Sequence, residues 1–224
     1  MHTGDMTPSG GEAGCKGRMD REDRREAILD VATDVFLKEG YASASMSTIA
    51  ARVGGSKGTL YNYFKSKEEL FEAYVQRSCV FHRGEIAHLL TEEGDARTVL
   101  TRFARGYVRA FTAEPALQNW RVISAESHKS PDVGRMFYEA GPLTGARIIA
   151  AYIEKARDRG DLIAPDVMTA AHHFTSLIHG RMIKARLLNY MPEPTDAEIE
   201  AEVEGAIAVF FAAYGANAAA ASKS

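Results

Sequence analysis

The sequence is poor in cysteine and has no long apolar run. Its two cysteines, Cys15 and Cys79, lie far apart, which excludes a disulfide framework and fits a reducing cytoplasm. No stretch approaches the ~20 apolar residues that a membrane-spanning helix needs, and the first residues lack the pattern of a secretory signal. We therefore expect a cytoplasmic protein, and we expect no metal and no cofactor.

The sequence also lacks the positive net charge that is typical of nucleic-acid binders, because its formal net charge is -3. The distribution of charge is more informative than the sum. Residues 40–67 contain no Asp or Glu but four basic side chains, namely Arg52, Lys57, Lys65 and Lys67. This segment is locally basic, but the imbalance alone does not identify an anionic partner.

Apolar residues recur with helical spacing over most of the chain, and no two-residue alternation appears. The predicted fold class is all-α, with about nine helices. The glycine-rich residues 1–19 are predicted to be a disordered tail, and residues 215–224 a frayed one. The first helix should end at Gly40, a typical residue just beyond a helix. Longer helices are predicted near 95–112, from Pro115, from Pro131 to Gly160 with a break or kink at Gly141-Pro142, at 166–189 and at 196–214.

Between the first helix and residue 70, serines and glycines mark three helix starts. Ser45 and Ser56 are each placed to cap a short helix, and Gly54-Gly55 separates these two helices. Ser66 is followed three residues later by Glu69, which is the pattern of a capping box.

Two short helices joined by a tight glycine-containing turn are typical of a helix-turn-helix. In this motif the second helix enters the DNA major groove. Here that helix covers about Lys57 to Phe64, and its Leu60 and Phe64 should point into the core. The side chains left for other surfaces are Lys57, Gly58, Thr59, Tyr61, Asn62 and Tyr63.

Three of these residues suit contacts with bases. Asn62 can pair with an adenine edge, and Thr59 can hydrogen-bond a base or touch a thymine methyl group. Gly58 would let the backbone approach a base edge closely. A glycine inside a helix costs about 1 kcal/mol relative to alanine, so a steric purpose is expected.

Other polar residues suit contacts with phosphates. Lys57 can bind a phosphate or a guanine, and the hydroxyls of Tyr61 and Tyr63 can bind phosphates, although Tyr61 also fits a core position. Lys67 stands at the start of a helix, where a cation opposes the helix dipole unless an anion lies nearby. Thr48, in the first turn of the second helix, is placed for a similar contact.

Residues 25–75 resemble the DNA-binding domain of the TetR family of regulators. The resemblance is carried by Gly40-Tyr41, Thr48-Ile49-Ala50, Val53-Gly54, Ser56-Lys57-Gly58-Thr59-Leu60-Tyr61, Tyr63-Phe64, Lys67 and Leu70. It implies that Thr48, Lys57, Tyr61, Tyr63 and Lys67 mainly hold phosphates, and that Gly58, Thr59 and Asn62 read bases. Gly55 departs from the family, which more often has a larger residue there, and this should loosen the turn.

The segments 120–123, 137–138 and 160–162, with Glu126 and Pro131, resemble the ligand domain of AefR-like members of that family. Aromatic residues gather there near helix breakers, where imperfect packing can leave a cavity. The candidate ligand-binding residues are Phe103, Tyr107, Trp120, Phe137, Tyr138, His173 and Phe174. Four of them, Trp120, Phe137, Tyr138 and Phe174, are equally compatible with core positions. Glu126 and Ser176 could add polar groups. The expected effector is largely apolar or aromatic, with a small polar end.

Other chemistries find less support in the sequence. His172 and His179 share a helix face but lie two turns apart, and His173 points elsewhere, so ordinary helix histidines are favoured over a metal site. Glu126 and His128 do not face each other on a helix, as an acid/base pair would need to do. No phosphate-cradling GxxxxGK loop is present.

These patterns predict a helix-turn-helix DNA-binding domain at 20–66 and an effector-binding and dimerisation domain at 67–214. The apolar stripes of residues 166–189 and 196–214 predict a two-fold, four-helix dimer interface. The predicted protein is a non-enzymatic, homodimeric repressor, released from a palindromic operator by a small molecule. The alternatives are an activator or a ligand-indifferent regulator, or a helical enzyme that binds a small molecule.

Overall fold

The computed structural model describes the backbone of residues 13–91 and 93–216 and the side chains of most of them from residue 21 onward. Residues 1–12 of the predicted N-terminal tail at 1–19 lie outside the described residues. So do residues 217–224 of the predicted C-terminal tail at 215–224. Residues 13–19 already belong to the first helix, and Ala216 donates its N–H to Asp161 O at 3.3 Å. Both described chain ends are therefore more regular than the composition predicts.

The described residues form an all-α fold, as predicted, and contain no strand beyond one isolated bridge between Leu162 and Gly215. The first four helices are α1 (Ala13–Ser43), α2 (Met46–Val53), α3 (Lys57–Tyr61) and α4 (Lys67–Ala87). The next are a 3-10 turn (His88–Leu90), α5 (Ala96–Thr112), α6 (Glu114–Ser127) and α7 (Pro131–Tyr138). A π-helical turn (Glu139–Leu143) precedes α8 (Thr144–Asp158), α9 (Val167–His179), α10 (Arg181–Leu187) and α11 (Asp196–Tyr214). None of these helices is long and apolar enough to cross a membrane.

The chain divides into two compact units, Met1–Tyr74 and Val75–Ser224. The first unit includes the beginning of α4, beyond the predicted limit at residue 66. Aromatic packing explains this extension, because the ring of Phe36 lies 5.0 Å from that of Phe71 and 5.5 Å from that of Tyr74. Phe71 and Tyr74 are buried.

Two glycines interrupt helices that periodicity alone would continue. Gly40 has a φ of +76° and breaks α1, as predicted. Gly180, with φ -5° and ψ -123°, separates α9 from α10, so the prediction of one helix over 166–189 was wrong. A Cβ at residue 180 would lie 2.8 Å from the carbonyl oxygen of Leu177, and only glycine fits this bend.

The core of the second unit is built mainly by α5, α8, α9 and α11. Phe174 lies at its centre, with its ring 6.1 Å from that of Phe103 and 5.0 Å from that of Phe210. The apolar stripes assigned to dimerisation pack largely in this core, as shown by Ala170, Ala171, Phe174, Ile178, Met182, Ile199, Val203, Ile207 and Phe210. These buried residues cannot form a dimer surface, which corrects that part of the prediction.

Candidate nucleic-acid interface and ligand cavity

Two serines fix the starts of α2 and α3. Ser45 Oγ accepts the backbone N–H of Thr48 at 3.1 Å, and Ser56 Oγ accepts that of Thr59 at 3.1 Å. Gly54 ends α2 in the left-handed conformation, with φ +73°, and donates to the last carbonyls of that helix. These contacts confirm the predicted caps and the tight turn of the helix-turn-helix.

The outer face of α3 is polar and open. Lys57, Gly58 and Asn62 are exposed, whereas Leu60 and Phe64 are buried. Tyr61 is 40% exposed, with Lys57 Nζ 5.9 Å from its ring centre, so it does not take the alternative core position. This surface therefore presents the ammonium group of Lys57, the amide of Asn62 and the phenol of Tyr61 to solvent.

Gly58 has no steric role inside the protein. A Cβ built there would meet only Ser56 Oγ, at 3.7 Å, and its φ lies outside the left-handed region. Alanine would fit at this position and favour the helix. The described contacts therefore do not require glycine at this position.

The space beside Gly55 is occupied by an arginine from α1. A Cβ at residue 55 would lie 3.4 Å from Arg24 Nη2 and 3.8 Å from the Cβ of Thr59. The side chain of Arg24 from α1 thus fills the space that a larger residue at position 55 would occupy. This packing compensates for the loosening of the turn that the sequence predicts.

Lys67 has partners within the protein. Its ammonium donates to the carbonyl oxygens of Tyr41 at 2.9 Å and Ala44 at 3.1 Å, and it lies 4.1 Å from the centre of the Tyr41 ring. The partial negative charge of these two carbonyl oxygens stabilises the ammonium at the start of α4. An external anion, which we expected from the sequence, is therefore not needed for this. A DNA contact by the third ammonium proton stays a prediction.

The basic segment at residues 40–67 has fewer cations available to bind an anion than its composition indicates. Arg52 pairs with Asp34 and Glu39 of α1, and Lys67 is engaged as above. Lys57 and Lys65 are exposed and have no ion pair among the described residues. These two lysines are the cations of the segment that are free for a phosphate.

The cap of α4 differs from the predicted capping box in one contact. Ser66 Oγ accepts the N–H of Glu69 at 3.2 Å, as predicted, but the Glu69 carboxylate accepts the N–H of Lys65 at 2.6 Å instead of that of Ser66. The N–H of Lys65, two residues before α4, is therefore satisfied.

The second unit contains a cavity of about 460 Å³. Its aromatic lining consists of Phe103, Tyr107, Phe111, Trp120, Phe137 and Tyr138. The rings of Trp120 and Phe137 meet edge to face at 5.8 Å. The volume and the apolar lining are typical of small-molecule sites.

A tyrosine–histidine pair supplies polar groups to this cavity. The Tyr107 hydroxyl lies 3.1 Å from Nδ1 of His179, and the imidazole ring lies 5.3 Å from the Trp120 ring. Burial raises the pKa of Tyr107. Burial, helped by the positive charge of Lys184, lowers the pKa of His179. The pair is therefore a neutral phenol beside a neutral imidazole at neutral pH.

The predicted break at Gly141-Pro142 is a π-helical turn that lines the cavity. Pro142 lacks an N–H, and the hydroxyl of Thr144 donates to Glu139 O at 2.6 Å. A Cβ at Gly141 would lie 3.3 Å from Cys79 Sγ, so glycine lets this turn pack closely on α4. π-Turns of this kind are frequent at functional sites.

Comparison with known families decides the identity of both units. Residues 28–74 match the family model described as "Bacterial regulatory proteins, tetR family". Residues 98–216 match "AefR-like transcriptional repressor, C-terminal domain". The chain belongs to the TetR family. The family consists of DNA-binding transcriptional regulators that form dimers.

Individual proteins agree with this assignment. The transcriptional regulator UidR of Escherichia coli K12 is 30% identical over 184 residues, which cover 80% of this chain and 82% of UidR. The structure of the flavonoid-responsive regulator FrrA has 32% identity and a TM-score of 0.75, and the match covers 87% of this chain and 98% of that one. A TetR-family regulator from Mesorhizobium loti has 27% identity and a TM-score of 0.81, with the same coverage.

In this TetR-family protein, five of the seven predicted ligand residues line the cavity: Phe103, Tyr107, Trp120, Phe137 and Tyr138. The other two do not. Phe174 is wholly buried in the core, and His173 is exposed, with Nδ1 2.6 Å from the Tyr214 hydroxyl. Glu126 is buried but does not line the cavity either.

The error in α9 is one of helix rotation. The residues of α9 that line the cavity are His172, Thr175, Ser176 and His179, which follow the three-and-four spacing of a single helix face. Positions 173 and 174 are turned away from that face. The spacing of His172, Ser176 and His179 was the available signal for the correct face.

Proposed function

We propose that this TetR-family regulator is a repressor that a small aromatic molecule releases from a palindromic operator. The main support is the aromatic cavity of the second unit, which is large enough for such a molecule. The match of that unit to an AefR-like repressor domain supports repression. The related regulator FrrA is flavonoid-responsive, which supports an aromatic effector.

DNA contact is assigned to the polar face of α3. Gly58, Thr59 and Asn62 read bases, while Lys57, Tyr61 and Tyr63 hold phosphates, with further contacts from Thr48 and Lys67. This assignment rests on the exposure of Lys57, Gly58 and Asn62 together. A dimer would place its two recognition helices on half-sites ~34–36 Å apart, or a multiple of that spacing.

Ligand binding acts on DNA only if it favours one arrangement of the protein over another. Helix α4 begins at Lys67 in the DNA-binding unit, and its Ser78, Cys79 and Ala87 line the cavity of the second unit. We assign the coupling to this helix.

The test uses Trp120, the only tryptophan in the sequence, as a reporter. Aromatic compounds that quench Trp120 fluorescence should also release labelled operator DNA, and Phe137→Ala should weaken both effects together. Tyr190→Ala, at an exposed residue outside the cavity, serves as the control and should change neither. Compounds that bind tightly at Trp120 and leave operator affinity unchanged would contradict release by ligand.

A further inference from the structure

The Tyr107–His179 pair can offer a hydrogen-bond donor to the cavity. We assign the Tyr107 hydroxyl as the donor to Nδ1 of His179, which lies 3.1 Å away. The proton of the imidazole then lies on Nε2. Within the described part of the chain, no protein group accepts a hydrogen bond from this nitrogen. His179 therefore has a donor available to a molecule in the cavity.

The charge of the cavity has one sign. Among the described residues that line it, Lys184 is the only lysine or arginine, and neither Asp nor Glu is present. Lys184 forms no ion pair with another described residue. Its charge already acts on His179, so the ammonium and the free imidazole N–H influence the same region.

The aromatic faces lie beside these donors. The imidazole ring of His179 lies 5.3 Å from the Trp120 ring, at 38° between the planes. A planar ligand held against Trp120 and Phe137 would bring a substituent towards His179. A carboxylate there would gain charge-assisted hydrogen bonds, which are roughly twice as strong as neutral ones.

We propose that the cavity selects aromatic acids, with the ring system held by Trp120 and Phe137 and the carboxylate bound by Lys184 and Nε2 of His179. The proposal rests on the proposed effector function of this cavity and adds the charge of the ligand. A cationic ligand would find no counter-charge among the described lining residues, and a neutral one would make no use of the charge of Lys184.

Three probe molecules that share one ring system but differ in charge separate the effect of ligand charge on affinity from the effect of ligand shape. They are 2-naphthoate, 2-naphthamide and 2-(aminomethyl)naphthalene, which are an anion, a neutral molecule and a cation at pH 7. Isothermal titration calorimetry should show naphthoate binding at least about tenfold more tightly than the amide, which corresponds to about 1.4 kcal/mol. The amine should bind most weakly.

Substitutions of two lysines test whether Lys184 causes the preference for the anionic probe. Lys184→Met should reduce naphthoate affinity to the level of naphthamide, and Lys184→Arg should keep the preference because it keeps the charge. Lys155→Met, which removes the same charge from an exposed position of α8 outside the cavity, should leave all three affinities unchanged. Circular dichroism checks that each variant is folded.

The outcomes distinguish the two proposals. Equal affinity for naphthoate and naphthamide, or equal effects of Lys184→Met and Lys155→Met, would overturn the selection of acids and leave an effector cavity standing. If naphthoate is preferred through Lys184 but fails to release operator DNA, the selection holds and release by ligand fails. If no probe binds, the selection of acids fails, and the Trp120 fluorescence test with other aromatic compounds decides release by ligand separately.

Discussion

Substitutions of two single residues, Lys57 and Lys67, should separate an effect on DNA binding from an effect on stability. The sequence predicts phosphate contacts for both, but their surroundings differ. Lys57 is exposed on α3, whereas Lys67 donates to two backbone carbonyls.

We expect Lys57→Ala to weaken binding to every DNA duplex and to flatten the dependence of log K on log salt by about one. Its free energy of unfolding should stay unchanged. Lys67→Ala should lower that free energy by about 1–3 kcal/mol, because charged hydrogen bonds to the end of α1 are lost. Urea unfolding and fluorescence anisotropy of labelled DNA measure the two effects. Equal stability of both variants would contradict the structural role of Lys67.

Gly58 provides a test in which stability and function change in opposite directions. Alanine meets no obstacle within the protein at this position, so Gly58→Ala should raise the free energy of unfolding by roughly 0.5–1 kcal/mol. The added methyl group should weaken operator binding, because it stands between the backbone and the base edges. A variant that is more stable and binds DNA as well as the parent would remove the argument for close approach.

At the scale of elements, the two neighbouring glycines of the turn should respond oppositely to the same substitution. Gly54 has a φ of +73°, so Gly54→Ala should lower the free energy of unfolding by about 1–2 kcal/mol. Gly55 lies outside the left-handed region, and its nearest neighbour is the flexible end of Arg24. Gly55→Ala should therefore be neutral or raise the free energy of unfolding by about 0.4–1 kcal/mol. Thermal unfolding of the pair measures both, and equal losses would contradict the described turn.

The local elements were predictable because their causes lie within a few residues. Ser45, Ser56 and Gly54 act on backbone groups three or four positions away, and the sequence displays those spacings. The break at Gly180 was missed because its cause is a close approach to Leu177 O that only the folded bend creates. A glycine within an otherwise apolar helical pattern gives no such information.

The functional sites were predictable to different degrees for a similar reason. The face of α3 follows from Leu60 and Phe64, so the exposure of Lys57, Gly58, Tyr61 and Asn62 was predicted correctly, whereas Thr59 and Tyr63 are half-buried. The partners of Lys67 lie 23 and 26 positions away in the sequence, and no local pattern indicates them. His173 and Phe174 were misplaced because the rotation of α9 depends on packing against α8 and α11, which periodicity alone does not fix.

At the scale of the whole molecule, the dimer surface must differ from the apolar stripes that the monomer buries. The outer face of α11 carries small exposed residues, namely Ala197, Ala201, Ala208 and Ala212, next to Val209, which is 56% exposed. Small side chains let two helices approach closely. We therefore expect this face to contribute to the dimer of this TetR-family protein.

Val209→Asp should shift the protein towards monomer in sedimentation at micromolar concentration, because it would bury a charge in the interface. Operator affinity should fall with it, since a monomer binds one half-site. Ala151→Asp introduces the same charge at an exposed position of α8 and should leave the dimer intact. A dimer that tolerates Val209→Asp as well as Ala151→Asp would show that the interface lies elsewhere.

We infer that this TetR-family chain binds an operator as a symmetric dimer, through the exposed face of α3. Selection of bound duplexes from a random DNA pool tests it most directly. We expect the enriched duplexes to share an inverted repeat with half-sites about 34–36 Å apart or a multiple of that spacing. We also expect that selection with Asn62→Ala relaxes the preference at particular base pairs, at a cost of about 1–3 kcal/mol there. Recovery of asymmetric sites, or of the same sites with equal preference from the Asn62→Ala protein, would contradict this inference.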